Sequence, residues 1–305
     1  MKKPAKFDIH EEITRRITEE LEKGVIPWQK PWHTKASGDA FPCYSYATGK
    51  RYDFINIMLL GGEAGEYATF KQITDKGGKV KKGSKARFVV GWVVTDHKRL
   101  DENGDVMTDD DGNEKTYKTF GLRYYSVFNI LTDVEGLEPR KDWSAPETTP
   151  EVAPVESAEK ILHGYIDRPD APRFTETTSN RAYYAPALDE VVVPDKRQYE
   201  YIEEYYSTAF HELTHSTMKA SRCNREEDRK GKKCAFGSEV YSKEELVAEI
   251  GAAALVNISG IESEHSFKNS VAYIQSWLKA LKDDPQMIVY ASAQAQKAVD
   301  YIIGA

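Results

Sequence analysis

The five residues His211-Glu212-Leu213-Thr214-His215 constrain the fold of this chain more than any other segment. Residues four apart lie on the same face of an α-helix, so a helix here would bring both imidazoles to one metal ion. Glu212 would project beside them and could take the proton of a metal-bound water. The pattern predicts a helix over 199–219 that carries a zinc site suited to amide hydrolysis. The alternative is a helix whose histidines are simply polar surface residues.

A catalytic zinc ion needs a third protein ligand and an open coordination position. A helix is predicted over 242–258, beginning at Ser242 and carrying Glu245 and Glu249 one turn apart. Alanine and glycine beside them indicate close helix packing, where an unpaired carboxylate would be costly. One carboxylate on the metal and the other on a ligand imidazole would remove that cost. The residues alone do not decide which of Glu245 and Glu249 binds the metal. The neighbouring Glu244 is interpreted as a capping or solvated charge.

The pattern H-E-L-T-H, followed about thirty residues later by E-x-x-A-E, resembles the gluzincin metallopeptidases. The resemblance implies that Glu245 is the third zinc ligand beside His211 and His215, and that Glu249 orients a ligand histidine. It also implies one Zn²⁺ per chain, for which Mn²⁺ could substitute, with Glu212 as the general base. Many such enzymes have Asp at the position of Glu249, so the reverse assignment, with Glu249 on the metal and Glu245 as a helix cap, stays open.

Charge and composition divide the chain into two parts. Residues 1–140 contain 23 Lys and Arg against 22 Asp and Glu, whereas residues 141–305 contain 19 against 27. Within the first part, residues 71–99 hold nine basic and two acidic residues. The segment 141–157 is rich in Pro, Thr and Glu without periodicity, which is typical of a linker. We predict an α+β protein of two domains, 1–140 and 158–305, joined by this linker.

Hydrophobic periodicity predicts the elements of both domains. In the first, apolar residues four apart indicate an amphipathic helix over 8–23, and a short helix is predicted over 68–76. Runs of β-branched and aromatic residues at 86–95 and 122–130 predict a hairpin with a long polar loop. The second domain is predicted to place a helix over 158–166 and strands over 181–184 and 190–193 before helices over 199–219, 242–258 and 266–303, the last broken at Asp283-Asp284-Pro285.

The first domain combines aromatic rings and cations in a way that is typical of single-stranded nucleic acid binding. Bases stack on flat rings while lysine and arginine follow the phosphates. Each ring could instead belong to the core, and the lysines could lie in a solvated turn. The candidate DNA-binding residues are Trp28, Trp32, Tyr44, Tyr46, Lys50, Arg51, Tyr52, Lys79, Lys81, Lys82, Lys85 and Arg87.

Further motifs are spread along nearly the whole chain, at 26–28, 47–56, 69–72, 78–83, 124–129, 182–184, 193–194, 211–215, 236–238, 244–254 and 295–301. Their order resembles the ArdC-type antirestriction proteins, whose N-terminal domain also occurs in TraC-like plasmid primases. The resemblance implies a protein of conjugative plasmids that binds single-stranded DNA and protects incoming DNA from host restriction, with a zincin-like metallopeptidase domain. A different class is a non-catalytic DNA-binding protein with a structural or vestigial metal site, acting by occlusion or by contact with host restriction-modification subunits.

Cysteine usage and hydropathy indicate the compartment. Cys43, Cys223 and Cys234 form no C-x-x-C pair, which argues against a disulfide framework and is typical of a reducing cytoplasm. No run of about 18 apolar residues occurs, and the basic N-terminus lacks the apolar stretch of a secretory signal. We therefore expect a cytoplasmic protein without a membrane partner.

Overall fold

A computed structural model describes residues 7–29, 41–102, 104–143, 154–226, 239–261 and 270–305. The predicted α+β architecture is confirmed. The helices are α1 (Ile9–Glu22), α2 (Phe54–Leu59), α3 (Phe70–Asp75), α4 (Ile130–Asp133), α5 (Pro154–Ile166), α6 (Ile202–Ser216), α7 (Glu239–Ser259), α8 (Ser270–Asp283) and α9 (Met287–Ile303). The strands are β1 (Cys43–Ser45), β2 (Gly65–Thr69), β3 (Lys79–Val80), β4 (Arg87–Lys98), β5 (Thr116–Asn129), β6 (Val134–Glu135), β7 (Arg173–Thr177), β8 (Tyr183–Ala185) and β9 (Glu190–Pro194).

A four-stranded sheet of order β1-β2-β5-β4 forms the frame of the N-terminal part. Strand β1 is parallel to β2, and the other neighbours are antiparallel. The predicted hairpin is confirmed, and its register runs from Arg87 opposite Val127 to Lys98 opposite Thr116. Its strands are longer than predicted, because pairing continues through the polar residues beyond each apolar run.

A three-stranded sheet of order β7-β9-β8 lies beside the helical body. The central strand β9 is buried along its length and contacts α6. The predicted strands β8 and β9 are confirmed, whereas β7 was not predicted because its sequence, R-F-T-E-T, is mostly polar. The turn between β8 and β9 places Asp189 at φ 50°, a left-handed conformation that aspartate tolerates.

Helix α7 is the centre of the helical body, and α5, α6 and α9 pack around it. Its residues from Leu246 to Val256 are buried except for Glu249, which agrees with a helix that is apolar on nearly all sides. The predicted break in the C-terminal segment is also confirmed, since α8 ends at Asp283 and α9 begins at Met287.

Two predicted boundaries are wrong. The helix predicted from residue 68 begins at Phe70, because Ala68 and Thr69 pair in β2 and Thr69 then caps α3. Helix α5 begins at Pro154, inside the predicted linker. Proline is favoured in the first turn of a helix, where its missing N–H is no loss. The linker residues 144–153 lie outside the described residues.

The N-terminal elements pack directly on the C-terminal helices. Helix α1 contacts α8, and α2 contacts α9. The Thr14 hydroxyl donates to the Pro285 carbonyl at 2.8 Å, and the Trp28 and Trp277 rings meet edge to face with centroids 6.4 Å apart. One hydrophobic cluster contains buried residues from both parts. The domain limits at 140 and 158 stay a prediction. Across the described ranges, no helix is both long and apolar enough to cross a bilayer.

Replacing Gly251 by alanine is expected to lower the free energy of unfolding by about 1–3 kcal/mol, as overpacking does. A Cβ atom at Gly251 would lie 2.6 Å from Cγ2 of the buried Thr214 on α6, so the two helices would have to separate. Urea unfolding followed by circular dichroism measures the change. The matched control is Gly164→Ala on α5, where an added Cβ meets nothing within 4 Å. That variant should gain about 0.5–1 kcal/mol, and equal effects at both positions would contradict the packing argument.

Candidate metal centre

Helix α6 presents the two histidines of the H-E-x-x-H motif on its face toward α7. The Nε2 atoms of His211 and His215 lie 3.1 Å apart, and the ring centroids are separated by 4.7 Å. His215 and Glu212 are buried, while His211 retains partial exposure. The predicted helix is confirmed, although it is shorter than 199–219. The two imidazoles therefore point at one position.

Glu245 on α7 completes a three-residue cluster. Its Oε2 lies 3.6 Å from Nε2 of His211, and its Oε1 lies 3.5 Å from Nε2 of His215. In a tetrahedral site with ligand bonds of about 2.0–2.1 Å, two ligand atoms are about 3.3–3.4 Å apart. The observed separations therefore fit a small divalent ion. Within the described ranges, this is the one group of three such side chains whose ligand atoms lie close enough together to hold a metal ion.

Two further carboxylates of α7 face the Nδ1 atoms of the same rings. Oε1 of Glu249 lies 3.9 Å from Nδ1 of His211, on the side predicted for an orienting residue. Oε1 of Glu244 lies 3.3 Å from Nδ1 of His215. The interpretation of Glu244 as a capping or solvated charge is wrong, because this residue is buried. Both rings thus have a carboxylate behind them, which favours presentation of Nε2 to an ion.

A buried arginine, which the sequence interpretation missed, holds Glu244 in place. Arg225 is only 2% exposed and donates to both Glu244 oxygens, at 2.7 and 3.0 Å. It also donates to the Thr217 hydroxyl and to the Thr214 carbonyl. The guanidinium therefore ties the loop after α6 to the start of α7. The sequence held one signal that Glu244 would be buried. It lies four residues before Ala248, which is buried, and therefore on the same face of the helix.

The carboxylates shift the pKa values of the site. Burial would lower the pKa of His211, but Glu245, Glu212 and Glu249 raise it to about 9. Burial raises the pKa of Glu249, and Glu245 adds to this, while the histidines and a hydrogen bond from the Gln29 side chain oppose it. Burial would likewise raise the pKa of Glu244, but Arg225 and His215 lower it to about 2. The negative surroundings stabilise positive charge between the two helices, which a bound cation would satisfy.

The cluster opens into a cleft of about 390 Å³. Glu212 lies in its wall beside the three candidate ligands. The opposite wall comes from β8 and the following turn. The lining residues beyond the carboxylates and histidines are Ala182, Tyr183, Tyr184, Pro186 and Met218. A substrate could therefore approach the candidate ion and Glu212 from one side.

Three rings predicted to stack on DNA bases are buried instead. Trp28 packs against Trp277, Tyr44 lies under the Lys141 ammonium, and the Tyr46 hydroxyl donates to the Glu138 carbonyl at 3.2 Å. A buried ring has no free face for a base, so the stacking role predicted for Trp28, Tyr44 and Tyr46 does not hold. These residues belong to the buried core.

The remaining candidates differ in how accessible they are. Tyr52 is half-buried, Lys81 donates to the Thr132 carbonyl, and Arg87 forms ion pairs with Glu63 and Asp133. Trp32 lies outside the described residues. The exposed candidates are Lys50, Arg51, Lys79, Lys82 and Lys85.

Comparison with known proteins gives matches along most of the chain. The family model of the N-terminal domain of anti-restriction factor ArdC matches residues 7–128, and that of zincin-like metallopeptidases matches residues 170–294. A DNA primase TraC of Escherichia coli is 34% identical over 98% of this chain, which spans 20% of that primase.

Two solved structures resemble the whole chain. The metal-free crystal structure of antirestriction ArdC protein from R388 plasmid is 30% identical, covers 97% of both chains and gives a TM-score of 0.67. The Mn(II)-bound structure of that protein is 28% identical with the same coverage and a TM-score of 0.66.

Arg225→Met is expected to lower the free energy of unfolding by about 3–5 kcal/mol, because it leaves Glu244 as a buried carboxylate without its cation. Equilibrium unfolding in urea measures the loss. The matched control is Lys71→Met, which breaks the Lys71–Asp75 pair between two exposed side chains. An exposed pair contributes about 0.3–0.5 kcal/mol. If Arg225→Met were no more destabilising than Lys71→Met, the buried pair would not have the role given to it.

Proposed function

The chain belongs to the ArdC family of antirestriction proteins, and we propose that it protects DNA from restriction with a divalent metal centre and a single-stranded DNA-binding surface. The convergence of His211, His215 and Glu245 carries the metal part of this proposal. The Mn(II)-bound structure of ArdC from R388 plasmid supports a divalent ion. Two imidazoles, one carboxylate and an open side suit Zn²⁺, with Mn²⁺ as a substitute.

Hydrolysis of an amide bond is the chemistry that this arrangement fits best. When bound, the ion would supply a Lewis acid that activates a water molecule and polarises a substrate carbonyl. Glu212 lines the same cleft, where its carboxylate would accept the proton of the attacking water and return it to the leaving nitrogen. Glu249 and Glu244 would keep His211 and His215 oriented.

A structural role for the metal is the second candidate. The Gln29 side chain, from the N-terminal part, lowers the pKa of Glu249, the carboxylate behind His211. An ion at this point would therefore also stabilise the contact between the two parts of the chain. In that case the protein would act without cleavage, by covering DNA or by contacting host restriction-modification subunits.

We expect His215→Ala and Glu245→Ala to abolish stoichiometric metal binding, because each removes a ligand. Glu249→Ala should weaken binding only about 10- to 100-fold, since it removes an orienting group. Elemental analysis of the purified protein and competition with a zinc chelator measure these changes. If Glu249→Ala abolished metal binding and Glu245→Ala only weakened it, Glu249 would be the ligand.

Glu212→Ala is the control that separates hydrolysis from a structural role. It keeps all three candidate ligands and should bind metal like the wild type. The measurement is the efficiency with which unmodified DNA transforms a restricting host that contains the protein. If protection depends on hydrolysis, the wild type should raise this efficiency and Glu212→Ala should not. Full protection by Glu212→Ala would support the structural role instead.

Single-stranded DNA is the partner proposed for the N-terminal part. The match to the ArdC N-terminal domain and the similarity to a plasmid primase support this partner. The exposed residues Lys79, Lys82 and Lys85 form no ion pair with another described residue and could follow phosphates. Cys43 and Cys223 form no disulfide with a described residue, which suits the cytoplasm as the proposed place of action.

The full chain should bind an oligonucleotide with an affinity that falls steeply as salt rises. Each phosphate contact adds about 0.7 to the magnitude of the slope of log affinity against log salt concentration. The double variant Lys82→Ala with Lys85→Ala should therefore reduce the magnitude of this slope by about 1.4. Fluorescence anisotropy at four or more salt concentrations gives the slope. Lys160→Ala, an exposed lysine on α5, is the control and should leave the slope unchanged. Affinity independent of salt would refute the electrostatic contribution.

A further inference from the structure

The hairpin of β4 and β5 exposes two large aromatic rings on one face. Trp92 is 62% exposed and Phe120 is 68% exposed. Trp92 pairs with Leu122, and Val94 pairs with Phe120. Residues opposite each other in an antiparallel pair share a face, so the two rings are diagonal neighbours on the same side of the ribbon.

The packing of the fold explains the start of this face but not its continuation. Near the start of β4, Phe88 and Val90 are buried, and the Tyr124 ring stacks on Phe88 with centroids 5.4 Å apart. Further along, Trp92 and Phe120 have no such cover from the described residues. Exposed aromatic patches of this kind mark interaction sites.

The charges on the ribbon separate its stem from its tip. The stem, residues 87–98 and 116–129, contains four Lys and Arg against one Asp. Lys98 and Lys118 alternate onto the same face as the two rings. Their partners, Glu114 and Asp96, are also exposed. Exposed ion pairs contribute little, so both lysines can exchange these partners for phosphates.

The tip, residues 99–115, has the opposite charge. It contains two Lys and Arg against seven Asp and Glu. A polyanion would therefore be attracted to the stem and repelled from the tip, which limits its contact to the part of the ribbon that carries the rings.

We propose that the stem face formed by Trp92, Phe120, Lys98 and Lys118 binds single-stranded DNA, with bases stacked on the two rings. This assignment rests on the DNA binding proposed above and specifies its surface. Single strands fit better than a duplex, whose bases already stack on each other. Lysine is depleted at the centre of protein–protein interfaces, whereas aromatic rings mixed with cations are typical of single-strand binding surfaces.

Fluorescence anisotropy of a labelled oligothymidylate with the full chain tests this surface. Trp92→Ala combined with Phe120→Ala should weaken binding about 10- to 100-fold, because each stacked base contributes to affinity. Trp92→Phe combined with Phe120→Tyr keeps two flat rings and should retain most of the affinity. Both ring positions are exposed, and thermal melting should show that these variants fold like the wild type.

The matched control is Phe70→Ala, which removes a ring that is 60% exposed on α3 rather than on the ribbon. It should leave the affinity unchanged. If the wild type bound no oligothymidylate, both the DNA-binding proposal and this surface would fail. If the wild type bound but the Trp92 and Phe120 double alanine variant bound equally well, only this surface would be wrong. Unchanged DNA affinity with a shift in sedimentation would assign the ribbon to self-association and also overturn the proposal.

Discussion

The close contact between α6 and α7 is the constraint on which the metal centre depends. Gly251 leaves room for Thr214, and the Arg225–Glu244 pair ties the loop after α6 to the start of α7. Functional ligands must be held to within about 0.5 Å. The helices can meet this requirement because their contact is made by small or buried groups, whereas long exposed side chains would leave the spacing free to vary.

The metal centre is also connected to the N-terminal part of the chain. Gln29 lowers the pKa of Glu249, and the preceding residue, Trp28, packs on Trp277. Helix α1 adds a further contact, in which the Thr14 hydroxyl donates to the Pro285 carbonyl. The two parts therefore share a core.

Composition predicted a surface of aromatic rings and cations in the N-terminal part, but three of the rings predicted for it are buried. Trp28, Tyr44 and Tyr46 are buried, while Trp92 and Phe120 are exposed on a strand pair predicted from its apolar pattern. The reason is physical. Whether a ring is covered depends on segments far away in the sequence, as Trp277 is from Trp28, and the local pattern does not show it.

The sequence by itself determined the features that depend on local spacing. Residues four apart placed His211 and His215 on one helical face, and two runs of β-branched and aromatic residues specified the hairpin. Tertiary structure alone decided that Glu244 orients His215, that Arg225 neutralises Glu244, and which rings face solvent. Helical periodicity is a property of neighbouring residues. The partner of a buried charge is set by which loop packs against which helix, and that is fixed only when the whole core closes.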